Sequence, residues 1–241
     1  MSNSMHAGPG RLAKSAIISI AVGFGVALAA SGQDASSLKS KYDAARAAGD
    51  WNAAEAAARQ LLAMQSTSWE YQKALADAQF GEAKYAEALA SYQSAISRAE
   101  GMSDDAARKA VGQMLTNSGN AKLKLHDNEG AIALYERAAR TDPTPATAYF
   151  NLCATEYNMG QMTPAESSCD KAIEFDPKKA DAYFIKGSIM IGNAAVAAGG
   201  KTTFPPRTEA TLRKYLELAP SGSHVEDVKQ MLDFVKSSAT N

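Results

Sequence analysis

The chain has 241 residues, of which 49 are alanine, and its charged side chains nearly cancel to a formal net charge of −1. Eight prolines occur, and none lies between Gly10 and Asp142. Because alanine is the best helix former and proline the worst, this long stretch can be helical throughout. A hydrophobic content of 46% argues against wholesale disorder. Because the charges balance, the chain as a whole has no positive excess that would attract nucleic acid.

The first thirty residues have the pattern of an export signal. Arg11 and Lys14 are the only charged residues before Asp34, and they precede an apolar run over 15–30. The run contains the small-residue cleavage pattern Ala-Leu-Ala at 27–29. The apolar run of 16 residues is shorter than the roughly 20 residues that a bilayer span needs. We therefore interpret residues 1–30 as a signal peptide, with an uncleaved N-terminal anchor as the alternative. The mature chain is then expected in the periplasm or outside the cell, without membrane insertion.

The rest of the chain repeats itself at a fixed period. The segment 131–143 reappears at 165–177, and 54–62 reappears at 88–96 with the same offset. The copies that begin at 88 and at 131 are farther apart, which indicates a nine-residue insertion between them. A last unit ends at Pro220. A fixed period of about 34 residues is typical of a solenoid built from stacked helix pairs.

The repeating unit resembles the tetratricopeptide repeat (TPR), a helix–turn–helix of about 34 residues. The best-fitting copy carries the matching residues Tyr149, Leu152, Cys153, Gly160, Ala165, Cys169, Ala172 and Pro177. Thr163 as an N-cap and Pro164 at the first helical position predict where its second helix starts. The resemblance implies an all-α superhelical solenoid of about five repeats over 35–222, closed by a capping helix at 223–237. We place the repeats at 35–68, 69–102, 112–145, 146–179 and 180–222, the last with an inserted loop at 194–207.

Nothing in the sequence points to catalysis. The three histidines, His6, His126 and His224, have no second histidine or cysteine at metal-ligand spacing. No glycine-rich phosphate loop follows a strand pattern. We therefore expect a protein that is not an enzyme and that uses no cofactor or metal.

Cys153 and Cys169 are the only cysteines. Each lies eight residues from a turn centred near Gly160 and Gln161, so the two face each other across antiparallel helices. An exported chain meets an oxidising compartment, and a disulfide here would close a loop of about 16 residues and stabilise the fold by roughly 3 kcal/mol. The alternative is two buried thiols that act as small hydrophobic groups.

The TPR resemblance also implies a binding surface, because the first helix of each repeat lines the concave groove in that family. Carried over, the partner-binding residues are Lys73, Phe80, Asn117, Asn120, Phe150, Asn151, Tyr157 and Phe184. Asparagine amides can pair with both N–H and C=O groups of an extended peptide. In the alternative, Asn117 and Asn151 tie neighbouring helices together and the aromatic residues are packing groups. Asp181 stands where the carboxylate-clamp subgroup of the family has lysine, so the chain departs from that subgroup.

We expect a non-catalytic scaffold or adaptor of the cell envelope that binds an extended peptide or a partner protein in the groove. The alternative is an accessory structural subunit of an outer-membrane, secretion or cell-wall assembly, docked through the convex face or through the loop 194–207. That loop has a structural alternative of its own, in which it folds back over the end of the core. The sequence names no particular partner.

Overall fold

A computed structural model of the protein describes residues 34–102, 104–197 and 202–240. The predicted signal peptide therefore lies outside the described residues. Eleven helices occupy these ranges, joined by short turns. They are α1 (34–48), α2 (Trp51–Met64), α3 (Trp69–Gly81), α4 (Tyr85–Ala99), α5 (Asp105–Lys124), α6 (Asn128–Thr141), α7 (Ala146–Asn158), α8 (Met162–Phe175), α9 (Ala180–Gly192), α10 (Thr208–Leu218) and α11 (Val225–Thr240).

The helices form five consecutive pairs, followed by α11 as a single capping helix. The first members, α1, α3, α5, α7 and α9, are here called the A helices, and the second members, α2, α4, α6, α8 and α10, the B helices. This arrangement confirms the predicted all-α TPR solenoid of about five repeats with a C-terminal cap. The nine-residue insertion lengthens the third A helix, α5, which has 20 residues against 13 in α3, α7 and α9.

Side-chain caps start several helices where the sequence offers an acid or a serine. Asp50, Ser68, Asp104 and Asp127 each accept a hydrogen bond from the backbone N–H three residues later, at 2.8–3.1 Å. Such a cap satisfies one of the N–H groups that a helix leaves free at its first turn. The predicted start of α8 is wrong in detail, because this helix begins at Met162 and its Thr163 is not the N-cap.

The turns between paired helices repeat one backbone conformation. Gly49, Ala83, His126 and Gly160 each have a positive φ of 59–76°. Their positions follow the sequence period, including its one longer interval before His126, so the turn conformation recurs once in each of these repeats. Glycine adopts this left-handed conformation without strain, whereas alanine and histidine do so at a cost of about 1–2 kcal/mol.

The core is a series of small clusters, each shared by neighbouring helix pairs. Alanine is the commonest residue in it, as in the cluster of Ala76, Ala88, Ala95 and Ala99 with the larger Tyr92. Small side chains let the helices of a pair approach closely, and the larger residues fill the space between pairs. A chain of clusters is what a solenoid requires, because each pair buries its apolar face only against its neighbours.

A partly buried ion-pair cluster joins the first two pairs. The Glu55 carboxylate accepts hydrogen bonds from Lys84 Nζ at 2.7 Å and from Arg59 Nε at 2.9 Å. Glu55 is 7% exposed. The hydrogen bond from Lys84, with a further contribution from Arg59, lowers the pKa of Glu55 to about 2.

The inserted loop of the fifth repeat contains two short strands that the sequence did not predict. Strand β1 (Ala195–Val196) pairs antiparallel with β2 (Thr202–Thr203). Just after β2, the ring of Phe204 meets the ring of Phe234 of α11 edge to face, with centroids 5.4 Å apart. The described part of the loop after β2 therefore packs on the capping helix, as in the alternative in which the loop folds back over the end of the core.

Candidate functional site

The eight residues predicted to bind a partner lie on four successive A helices. Lys73 and Phe80 are on α3, Asn117 and Asn120 on α5, Phe150, Asn151 and Tyr157 on α7, and Phe184 on α9. All eight side chains are half-buried. We call the surface that they form the predicted groove. The polar and the aromatic members of this set are held in different ways.

A hydrogen-bonded network fixes the polar residues of α3 and links them to α5. Asp77 accepts hydrogen bonds from Lys73 Nζ and from the hydroxyl of Tyr92, each at 2.6 Å. The Asn117 amide Nδ2 donates to the Tyr92 hydroxyl oxygen at 3.3 Å and to Asp77 at 3.5 Å. Burial of the ring, together with the negative charge of Asp77, raises the pKa of Tyr92. The phenol therefore stays protonated as a donor.

A second network links α5 to α7. The hydroxyl of Tyr135, on the B helix α6, donates to Asn120 Oδ1 at 2.7 Å. The Asn151 Nδ2 donates to the same oxygen at 3.3 Å. Burial raises the pKa of Tyr135, so this phenol also remains a donor. Asn117 and Asn151 thus tie neighbouring repeats together, which is the role that the structural alternative gave them.

The hydroxyls of Tyr92 and Tyr135 reach the predicted groove because the residue of the A helix next to each ring is small. Tyr92 lies sixteen residues after Ala76 and Tyr135 sixteen after Gly119, and a Cβ added to Gly119 would meet the Tyr135 ring at 2.4 Å. A tyrosine of the B helix therefore passes the A helix and holds a polar residue on it. Tyr92 and Tyr135 were not among the predicted site residues. The recurring tyrosine was visible in the sequence, but its hydrogen bond was not.

Each of the three asparagine side chains uses only one of its two polar groups, the carbonyl oxygen or the amide nitrogen, in hydrogen bonds with the described residues. Asn117 and Asn151 each donate through Nδ2, and Asn120 accepts through Oδ1. The carbonyl oxygens of Asn117 and Asn151 and the Nδ2 group of Asn120 have no hydrogen-bond partner among residues 34–102, 104–197 and 202–240. The surface therefore presents two fixed acceptors and one fixed donor. These are the groups that pair with a peptide backbone.

The aromatic residues of the predicted groove contact other helices. Phe80 meets Tyr85 edge to face at 5.3 Å, and the Lys179 ammonium lies 5.5 Å from the centroid of the Phe150 ring. Phe184 is stacked on His224, which precedes α11, with ring centroids 3.8 Å apart. Tyr157 packs against the cluster around the two cysteines. Packing is thus a role that all four aromatic residues have in the structure.

A cleft of about 170 Å³ lies between α1 and α3, at the first end of the predicted groove. Tyr42, Arg46, Lys73 and Asp77 are among the residues that line it. The Tyr42 hydroxyl is buried and has no hydrogen-bond partner among the described residues, and burial together with Asp77 raises its pKa to about 12. A protonated donor at this place was not predicted, because α1 carries the weakest copy of the repeat.

The sequence profile of one family, described as "Tetratricopeptide repeat", matches residues 41–108 and 116–180. These two ranges cover more than half of the chain. The chain belongs to the tetratricopeptide repeat family. TPR proteins bind protein or peptide partners, and the family consists in general of non-catalytic interaction modules.

Solved structures similar to this TPR protein share its fold at low sequence identity. A crystal structure of MamA protein is 19% identical, with a TM-score of 0.59, over 78% of this chain and 93% of that one. The TPR protein YrrB, described as having an unusual peptide-binding site, is 18% identical with a TM-score of 0.56, over 78% and 88%. The pilF protein of Pseudomonas aeruginosa is 14% identical with a TM-score of 0.63, over 87% and 90%.

In the fourth repeat of this TPR protein, a disulfide takes the place of the tyrosine. Cys153 and Cys169 are also sixteen residues apart, and they are bonded to each other across α7 and α8 with their Cα atoms 5.1 Å apart. Both residues are fully buried. The pairing proposed from their positions around the turn is the one that the structure contains.

Neither a metal-ion site nor a membrane-spanning helix is found in the described ranges. No group of three or more His, Cys, Asp or Glu side chains there is placed to hold a metal ion. None of the helices of residues 34–102, 104–197 and 202–240 has the length and apolar character that a membrane crossing requires.

Proposed function

We propose that this TPR protein is an adaptor of the cell envelope that binds an extended peptide segment of a partner protein along the predicted groove. The observation that carries the proposal is the set of three asparagines on α5 and α7, each with one polar group of its amide that is unpaired among the described residues. Asn117, Asn120 and Asn151 are fixed by bonds to their neighbours, and each directs its remaining group away from those bonds. Side chains ordered before binding cost less entropy when a ligand is bound.

The envelope location rests on the amino-acid pattern of residues 1–30, which is that of an export signal. The disulfide in the fourth repeat agrees with it, because such bonds persist in oxidising compartments and are rare in the cytosol. Cleavage can be measured directly. Mass spectrometry of the chain purified from its own envelope fraction should give an N-terminus near residue 31, and a chain found only in the cytosol would contradict the location.

Peptide selection tests the groove. A display library of random peptides is selected on the chain from residue 31 onward, and selected peptides are measured by fluorescence anisotropy. In the double variant Asn120→Ala/Asn151→Ala the affinity should fall at least tenfold, since two hydrogen bonds of about 1 kcal/mol each are lost. The matched control is Asn128→Ala, an amide on the B helix α6, which should leave the affinity unchanged.

The alternative, docking through the inserted loop, gives a different result. Peptides that bind the double variant as well as the original chain, and that lose binding when residues 199–206 are deleted, would overturn the groove proposal in favour of the loop. Circular dichroism of each variant confirms that the helices are retained.

A further inference from the structure

A second cleft, of about 380 Å³, lies on another face of the solenoid, between the B helices α6 and α8. We call it the α6–α8 cleft. Among the residues that line it are Glu136, Arg140, Tyr149, Leu152, Glu156 and Lys171. On α7 the residues of the predicted groove, such as Phe150 and Tyr157, point to a different side, because residues 149, 152 and 156 form their own stripe at helical spacing.

The floor of the cleft holds a carboxyl group that is not fully satisfied. Glu156 is 6% exposed, and its Oε2 atom is buried with no hydrogen-bond partner in the part of the chain that the structure describes. Burial raises the pKa of Glu156, while the nearby Ser168 hydroxyl and, more weakly, Lys171 oppose that effect. An acceptor removed from water and left unpaired costs about 1–3 kcal/mol, and more when it is charged. A ligand that supplied the missing donor would recover this cost.

Another repeat of the same chain shows what a satisfied version of this position looks like. Gln79 occupies the equivalent place on α3, and Ser91, twelve residues later, donates its hydroxyl to Gln79 Oε1 at 2.7 Å. Glu156 and Ser168 are the corresponding pair, with the same separation and nearly the same burial. The fourth repeat therefore has an acid at a position where the amide of Gln79 makes the corresponding hydrogen bond in the second repeat. A purely structural role does not call for that acid.

The charges at the rim are already engaged or open to water. The Arg140 guanidinium lies 3.6 Å from the Glu136 carboxylate, and the Lys171 ammonium lies 5.1 Å from the centroid of the Tyr149 ring. Arg140, Glu136 and Lys171 are exposed, so solvent and salt screen them. The Glu156 carboxyl lies in a lower dielectric, where a charge interacts more strongly with a ligand.

We propose that the α6–α8 cleft binds a lysine side chain of a partner protein, with its ammonium group at the Glu156 carboxylate. The ammonium group provides up to three donors and the opposite charge. The unbranched stem of lysine fits against Leu152 and Pro164, which line the cleft beside the acid. This site is separate from the predicted groove and does not depend on what the groove binds.

The test uses Nα-acetyl-lysine methylamide as the probe and its norleucine counterpart as the matched control, which has a similar stem and no amine. Each is titrated into the isotopically labelled chain while NMR records the backbone amides of α7 and α8 and the side-chain carboxyl of Glu156. The lysine probe should shift the amides around Leu152, Glu156 and Ser168 and lower the pKa of Glu156. The norleucine probe should do neither.

The variant Glu156→Gln should weaken the lysine probe at least tenfold and keep the fold, because Gln79 shows that an amide is accommodated at this position. Glu166→Gln, an acid on α8 outside the cleft, is the matched control and should bind like the original chain. Three results would overturn the proposal: no shift with the lysine probe, equal shifts with both probes, or unchanged affinity in Glu156→Gln. None of them bears on peptide binding at Asn120 and Asn151.

Discussion

Replacing Gly119 by alanine tests how the tyrosines are accommodated. A Cβ at this position would lie 2.4, 2.8 and 2.9 Å from three carbons of the Tyr135 ring, whereas carbon atoms prefer about 3.5–4.0 Å. The ring must therefore move by about 1 Å, and because Tyr135 is 0% exposed, it moves against neighbouring side chains and not into solvent. Overpacking of this kind costs about 1–3 kcal/mol, and displacement of the hydroxyl from Asn120 adds about 1 kcal/mol.

Against this cost, alanine gains up to about 1 kcal/mol over glycine within a helix. We expect a net loss of about 2 kcal/mol, which lowers the melting temperature by about 4–8 °C for a chain of this size. Thermal unfolding followed by circular dichroism measures the change.

Two further variants make the result specific to this contact. Gly192→Ala is the matched control, since a Cβ there meets nothing within 4 Å, and its melting temperature should stay the same or rise slightly. In a Tyr135→Leu background, the cost of Gly119→Ala should shrink, because contacting residues are not additive. An unchanged or raised melting temperature in Gly119→Ala would refute the reasoning.

Three other predictions concern turns, pH and the disulfide. Ala83→Gly should stabilise the chain by about 0.5–1 kcal/mol by removing left-handed strain, whereas Gly160→Ala should destabilise it by about 1 kcal/mol; chemical denaturation checks both, and equal signs would contradict the turn argument. Because Lys84 holds the pKa of Glu55 at about 2, below its ordinary 4.5, the stability from this pair should be complete above pH 4.5 and lost as the pH falls through about 2. Glu55→Gln should flatten that part of the pH profile, and an unchanged profile would argue against the pair. Reducing the disulfide, which spans 16 residues, should cost roughly 3 kcal/mol; a melting temperature insensitive to reductant would contradict this.

The sequence period was enough to predict the helix pairs, because the same small and aromatic residues recur at the same places in each copy. It could not predict where the additional residues would go: α5 begins at Asp105 and, with 20 residues against 13 in α3, is seven residues longer. Nor did it indicate that Ala83 and His126 would adopt the left-handed turn that glycine occupies elsewhere. Packing of the paired helices enforces that conformation, so that tertiary structure overrides local preference.

The sequence could predict which helices carry the asparagines of the candidate site, but not how their amide groups are held. Carrying over family positions located Asn117, Asn120 and Asn151 on the A helices. Which half of each amide stays free depends on the hydroxyls of Tyr92 and Tyr135, which come from the other helix of the pair. Likewise, Glu156 could be recognised as unusual only once the hydrogen bond between Gln79 and Ser91 was seen in the equivalent place.

The asparagine-centred hydrogen bonds between successive A helices have a limited extent along the solenoid. They run from Asp77 through Asn117 and from Asn120 to Asn151, and the residue at the next equivalent position, on α9, is the apolar Ile185. At the boundary between the fourth and fifth repeats, α7 and α9 meet through packing, and polar contacts such as the ion pair of Lys186 with Asp170 are exposed and contribute little. In a one-dimensional array whose stability is summed from neighbour to neighbour, such a boundary is where cooperativity weakens. Hydrogen exchange should therefore show α9, α10 and α11 opening together, ahead of the middle of the array.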